Sequence, residues 1–402
     1  MSGAAGNPPI DDAKEDAIVA WLDGRLTTMV DELRALVAIS TGPSEVAGRR
    51  EAIALLAHRW RRMGLSSEII EAAGGLCHLL AHRKADTADA PRILLLGHVD
   101  TVFDEASGFV GMSRAGDLVG GPGVADMKGG LVVAAAAVEA LGRAGKLGAF
   151  DWQILITTDE EIGSPTSRAV VERLAHGRDL VLCFEPGRGD FAVVTSRAGV
   201  GAFSFVVHGQ ASHAGAQPDA GRNAIHAAAD LIVRLQGLAD ASKGTTLSVG
   251  TIHGGSARNV VAETCRLEVD ARAWEPTEAE RVTRGIAEVV ADVQGATGVR
   301  IEQRGRFHRP PWPRNAACDA LHEHFARVAK DLGLALPAVS SAGGSDASLT
   351  AAIGVATLDG LGPVGSGFHS TREQIEQHTL AERAKLVALA LLRYRASSVV
   401  TA

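Results

Sequence analysis

R-I-L-L-L-G-H-V-D-T, residues 92–101, decides the fold. Its apolar run does not alternate, as in a strand covered on both faces, and it stops on a histidine and an aspartate two positions apart. Similar runs recur at 78–82 (H-L-L-A-H), 152–158 (W-Q-I-L-I-T-T) and 180–184 (L-V-L-C-F). Helix-period stretches lie between them at 127–145 and 165–176, and two more, 13–39 and 46–64, follow a disordered start. Strands alternating with helices predict an α/β fold, a mostly parallel sheet flanked by helices.

The pattern changes near Ser196. Residues 199–208 alternate like a half-exposed strand. A helix over 223–238, strands over 246–253 and 263–273, a helix over 277–294 and a strand over 298–304 complete a β-α-β-β-α-β order. That order is ferredoxin-like and predicts an inserted α+β domain over 198–308. F-H-R-P-P-W-P at 307–313 reads as the return linker. Helical stretches at 316–333 and 380–395 resume the earlier style, so the first domain is expected to be discontinuous, 1–197 plus 309–402.

Composition narrows the function. With 402 residues, 46% of them hydrophobic, the chain can build a sizeable core. A net charge of −7 argues against nucleic acid or an anionic membrane as the main partner. The first residues show neither a basic start nor an apolar core of a signal peptide, which sets a cytoplasmic expectation. Cys77, Cys183, Cys265 and Cys318 are far apart and read as reduced, buried thiols.

Five short segments carry the chemistry: G-H-V-D-T at 97–101, G-V-A-D-M-K-G-G at 123–130, T-T-D-E-E-I-G-S at 157–164, C-F-E-P at 183–186 and G-F-H-S at 367–370. Each alone has an ordinary reading. His98 with Asp100 is a buried histidine satisfied by a neighbour. Asp126 is the N-cap of the following helix. The Asp159–Glu161 run is a solvated turn, Glu185 a strand-end acid and His369 a loop residue. Together they put two imidazoles and several carboxylates at strand ends, the edge where ligands bind in such sheets. Mixed nitrogen and oxygen donors suit catalytic zinc. Three adjacent acids at a core edge would repel unless cations neutralise them, which makes Glu161 a ligand and leaves Glu160 to take a proton from an attacking water. Asp100 is placed to orient His98.

These segments, with A-S-H-A-G at 211–215 and G-G-S-D-A at 343–347, occur in the order seen in the zinc aminoacylase/carboxypeptidase family. That family holds acetylornithine deacetylase, succinyl-diaminopimelate desuccinylase and carboxypeptidase G, and the chain most resembles the carboxypeptidase G branch. The resemblance implies two zinc ions per subunit, with cobalt or manganese able to substitute. His98 and Glu185 would hold one ion, Glu161 and His369 the other, and Asp126 would bridge them. Glu160 would be the general base, and the Asp126–Met127 peptide is expected to be cis.

The resemblance also makes the inserted domain a lid and dimerisation module. Through it a partner subunit would send His213 to the scissile carbonyl. Asn259 and Arg272 would grip the substrate carboxylate, helped by backbone N–H groups of Gly343 and Gly344; an arginine fork suits a carboxylate. The implied function is hydrolysis of an amide bond next to a free carboxylate, as in a glutamate carboxypeptidase. N-acyl amino acid deacylase, dipeptidase and N-carbamoyl amidohydrolase activity stay open, as does a metal-binding scaffold without catalysis. The sequence departs from the branch after Glu185, where P-G-R-G-D offers no lysine for a glutamate side chain and only Arg188 as a substitute.

Overall fold

A computed structural model of the chain describes residues 12–394. The expected disordered start lies outside the described residues. Contacts divide the chain into two units, residues 1–195, 314–339 and 345–402 in the first, and 196–313 with 340–344 in the second.

The first unit opens with helices α1 (Asp12–Asp23), α2 (Leu26–Val37) and α3 (Val46–Arg62). The single helical stretch expected over 13–39 is thus broken at Gly24 and Arg25. Strands β1 (Ser66–Glu71), β2 (Cys77–Arg83) and β3 (Arg92–His98) follow, then a small hairpin, β4 (Ser113–Ala115) and β5 (Leu118–Gly120). Helix α4 (Lys128–Arg143), β6 (Asp151–Thr157), α5 (Arg168–Ala175), β7 (Leu180–Cys183) and β8 (Val193–Arg197) complete its N-terminal part.

The second unit contains β9 (Gly199–His208), α6 (Ala224–Gln236), β10 (Thr246–Gly254), β11 (Thr264–Ala273), α7 (Pro276–Thr297) and β12 (Arg300–Arg309). The first unit then resumes with α8 (Ala316–Asp331), and β13 (Ala338–Ser341) crosses the boundary. Helix α9 (Ala347–Ala351), β14 (Thr357–Leu358), β15 (Gly365–Ser366), β16 (Gln374–Glu376) and α10 (His378–Arg393) finish the described chain.

The main sheet of the first unit runs β1-β2-β6-β3-β7-β14. Strands β6, β3, β7 and β14 are parallel, while β1 pairs antiparallel to β2 and β2 antiparallel to β6. The sheet is therefore mostly parallel, as expected, with β2 alone running against the other five strands. The connection from β1 to β2 spans only residues 72–76, too short for the crossover that parallel strands need.

Strand β3 is buried from Ile93 to His98. It lies in the middle of the sheet, with helices packed around it as its unalternating pattern requires. Helix α4 is buried from Lys128 to Val138, which explains its nearly all-apolar sequence. Glycines let it lie close. A Cβ at Gly130 would overlap the carbonyl oxygen of Phe184, and one at Gly97 would come within 2.6 Å of the Met127 methyl carbon.

In the second unit the sheet order is β10-β11-β9-β12, all antiparallel, the ferredoxin-like arrangement. Its own core joins Phe203, Phe205 and Leu267 to Leu231 and Ile286 from the two helices. The stretch expected to be a return linker begins late. β12 continues through Phe307 to Arg309, and Phe307 packs on this core. The four cysteines are buried thiols. No helix among the described residues is long and apolar enough to cross a membrane.

Candidate metal centre

Register alone brings the first residues together. Leu96 of β3 pairs with Cys183 of β7, so His98 and Glu185, each two residues further on, are neighbours across adjacent strands. Parallel strands lie about 4.8 Å apart, within reach of both side chains. His98 Nε2 stands 3.6 Å from Glu185 Oε1. On the other side His98 pairs with Thr157, the last residue of β6, after which the chain turns through Asp159, Glu160 and Glu161.

Two loops close the site. Asp126 lies on the loop between β5 and α4, and His369 on the turn between β15 and β16. Strands β5 and β16 pair, which sets these two loops side by side. Asp126 does not cap α4: the N-cap position falls on Met127 and carries no side-chain bond. The Asp126–Met127 peptide is cis. The carboxylate instead faces two imidazoles, with Oδ1 3.2 Å from His98 Nε2 and Oδ2 3.4 Å from His369 Nε2. His369 Nε2 also lies 3.2 Å from Glu161 Oε2. His369 sits at φ +56°, a left-handed conformation that costs a non-glycine residue about 1–3 kcal/mol and is typical of functional sites.

The five side chains form two sets that share one carboxylate. His98, Glu185 and Oδ1 of Asp126 make the first; His369, Glu161 and Oδ2 of Asp126 make the second. One atom each from His98, Asp126 and Glu161 lie within 4.8 Å of one another. Imidazole and carboxylate donors of this number and mix fit two divalent ions of the zinc type.

The electrostatics describe a site rich in negative charge. Burial, Asp126 and the nearby Glu160 push Glu185 up to about 8, against the pull of His98. Burial raises Glu161 to about 7, with Asp126 and Glu160 adding to the effect. Burial would raise Asp126 too, yet His369 and His98 hold it well below the ordinary carboxylate range. Asp126 and Glu161 raise His369 to about 10. Burial works against charge on His98, but Asp100, Asp126 and Glu185 together lift it well above its usual value.

Neighbouring groups fix these residues. His98 Nδ1 lies 3.0 Å from the carbonyl oxygen of Asp100 and 3.5 Å from its Oδ1. Asp100 Oδ2 accepts the N–H of Glu161 at 2.9 Å, so one aspartate orients the histidine and also seats the acidic turn. Asp159 Oδ2 accepts from Thr166 N and Oγ1, both at 2.7 Å, and from Ser167 N at 3.1 Å. Arg49 donates to the carbonyl of Thr158 at 3.0 Å. The sequence reading passed over Asp159 and Arg49 as anchors. For Asp159 the available signal was an acid just after a buried strand; Arg49 is one of several arginines in α3 and carried none.

The remaining candidates lie in the second unit, at opposite ends of its sheet. His213 is exposed, bridges Val260 in strand fashion, and accepts the N–H groups of Gly215 and Ala216 at 3.1 Å through Nδ1. The carbonyl of Asn259 accepts from Ala214 N, which places Asn259 beside His213. Arg272 lies near the far end of β11. Its fork holds Asp270 at 2.8 and 2.9 Å, and its Nη1 donates to the carbonyl of Ala342. Gly343 and Gly344 fall within this second unit, close to Arg272. Their carbonyls accept from Arg197, and the Gly343 N–H is turned toward Ser341 Oγ.

Residues 94–393 match the model of peptidase family M20/M25/M40. The chain is 28% identical over 351 residues to carboxypeptidase G2 of Pseudomonas sp. (strain RS-16), covering 86% of this chain and 84% of that protein. It is 28% identical over 345 residues to succinyl-diaminopimelate desuccinylase of Xylella fastidiosa, covering 80% and 87%. In fold it is similar to a tripeptidase from Staphylococcus aureus, with a TM-score of 0.76, 23% identity, and coverage of 91% and 99%.

Proposed function

The chain belongs to peptidase family M20/M25/M40, and from that membership we propose that this hydrolase uses two zinc ions to cleave an amide bond next to a free carboxylate. Its specific form is a glutamate carboxypeptidase-like activity, supported by similarity to carboxypeptidase G2 across most of both chains. The observation that carries the reading is the Asp126 carboxylate set between two imidazole–carboxylate pairs, with the charge of Glu160 felt at both Glu161 and Glu185.

His98, Glu185 and Asp126 would hold one ion, and His369, Glu161 and Asp126 the other. Zinc there supplies Lewis acidity, polarising the amide carbonyl and acidifying water. Glu160 takes one proton from the attacking water as its oxygen bonds to the carbonyl carbon. As the carbon–nitrogen bond breaks, Glu160 returns that proton to the departing amine. Asp100 keeps the His98 ring oriented throughout.

Arg272 and the Gly343–Gly344 segment would hold the substrate carboxylate, Arg272 exchanging part of its grip on Asp270 for the ligand. His213 and Asn259 would come from a second copy of the chain. Thr264 and Arg272 are separated by eight residues of β11, roughly 26 Å at 3.3 Å per residue, and His213 lies beyond Thr264. One inserted domain therefore does not bring both ends to one small substrate. We read the protein as a homodimer through 198–308 on this ground.

A second reading, N-acyl amino acid deacylase, is favoured by the match to a desuccinylase. It also suits the loop after Glu185, where Arg188 lies over the Phe368 ring, 4.7 Å from its centroid, and no lysine is present. Assaying metal-depleted and zinc-reloaded protein against acyl-glutamates, other N-acyl amino acids, dipeptides and N-carbamoyl amino acids tests both. Zinc-dependent hydrolysis of acyl-glutamates supports the first reading, and preference for other acyl amino acids the second. Zinc binding without hydrolysis of any substrate would leave a scaffold.

A further inference from the structure

Strands β5 and β16 end side by side, with Gln374 opposite Gly120. From one end the chain runs into the loop that bears Asp126; into the other it arrives from the turn that bears His369. Glu373, the residue before β16, stands at this junction and is only 2% exposed. A buried carboxylate is costly unless its oxygens are matched by donors.

Here the donors are all backbone. Glu373 Oε1 accepts the N–H groups of Ala125 at 2.9 Å and Asp126 at 3.0 Å, and Oε2 accepts that of Gly123 at 3.1 Å. Its own carbonyl accepts from Gly121 at 3.2 Å, and its N–H donates to the carbonyl of Ser370, next to His369, at 3.0 Å. Consecutive N–H groups turned onto one anion form a nest that fixes the backbone carrying them. The residue so fixed is the one whose carboxylate faces both His98 and His369.

We propose that Glu373 is a positioning residue for the metal centre: it locks the Gly123–Asp126 backbone to the His369 turn, so that the shared carboxylate and the second histidine move as one piece. The role rests on the two-ion reading above and adds to it a residue that touches neither ion. It differs from ordinary structural support because its carboxylate holds the backbone of Gly123, Ala125 and the bridging residue Asp126 itself. Losing it loosens the spacing between the two donor sets before it loosens the fold.

The test is zinc and cobalt titration of metal-depleted full-length protein, wild type against Glu373→Ala and Glu373→Gln, with far-ultraviolet circular dichroism for each. Glu373→Ala should weaken zinc binding about 10- to 100-fold, the range for groups that orient ligands, and should alter the visible absorption of bound cobalt. Glu373→Gln keeps one acceptor oxygen and should fall between. Raising zinc should restore kcat with KM little changed. Wild-type zinc affinity and a wild-type cobalt spectrum in a folded Glu373→Gln protein would overturn the proposal, even if Glu373→Ala fails to fold. Failure of the wild type to bind zinc would instead sink the two-ion reading itself.

Discussion

Oδ2 of Asp126 lies 3.4 Å from Nε2 of His369. The other oxygen of the same carboxylate faces His98, so Asp126 belongs to both candidate donor sets while each of the other four side chains belongs to one. Replacing different members of the centre should therefore not be equivalent. His369→Ala should leave about one zinc ion per chain, and Asp126→Ala clearly less, because ligand loss translates into metal affinity at each site it serves. Metal analysis after gel filtration reads this directly. Equal zinc content in the two variants would remove Asp126 from its shared position.

Asp159 makes a separate prediction about stability. Its Oδ2 is the acceptor for two backbone N–H groups and a hydroxyl beyond the acidic turn. Asp159→Ala leaves those donors without it in a buried place, at a cost of about 1–3 kcal/mol. Urea unfolding of the metal-free protein should show a lower midpoint, and turnover of the zinc-loaded protein should fall because the Glu160–Glu161 turn is less well held. An unchanged midpoint would mean that the turn is fixed by other groups.

The dimer reading predicts complementation. If one chain supplies Arg272 and its partner His213, then His213→Ala and Arg272→Ala proteins are each nearly inactive alone. Mixed by unfolding and refolding together, they should form heterodimers with one intact site, restoring about a quarter of wild-type activity in a random two-fold assembly. No recovery on mixing, with dimers present by light scattering, would show that both residues serve the same chain's site.

The residues of the candidate centre stand out in the sequence because they interrupt patterns that physics makes visible. His98 and Glu185 end buried strands whose apolar runs are unbroken, and the Glu161 run follows a third. Asp126 was ambiguous because aspartate serves equally as a helix cap and as a ligand, and only the structure shows its carboxylate turned away from the helix end. The β4–β5 hairpin and β15 and β16 have two or three residues each, too few to show a period. Yet these elements aim Asp126 and His369. The antiparallel setting of β2 could not be read from its own residues, since its direction is set by its neighbours. Glu373 follows a threonine and an arginine in what looks like a solvated turn, and nothing local announces that it is buried.

In the proposed reaction Glu160 moves the proton while its neighbour Glu161 holds metal. The most direct measurement is zinc content and turnover of Glu160→Gln, side by side on one preparation, with the acyl-glutamate or acyl amino acid that the wild type hydrolyses best. Zinc content should stay at the wild-type level while kcat falls by about 10²–10⁴-fold, the usual contribution of a positioned general base. Turnover near the wild-type rate at full zinc occupancy would contradict it.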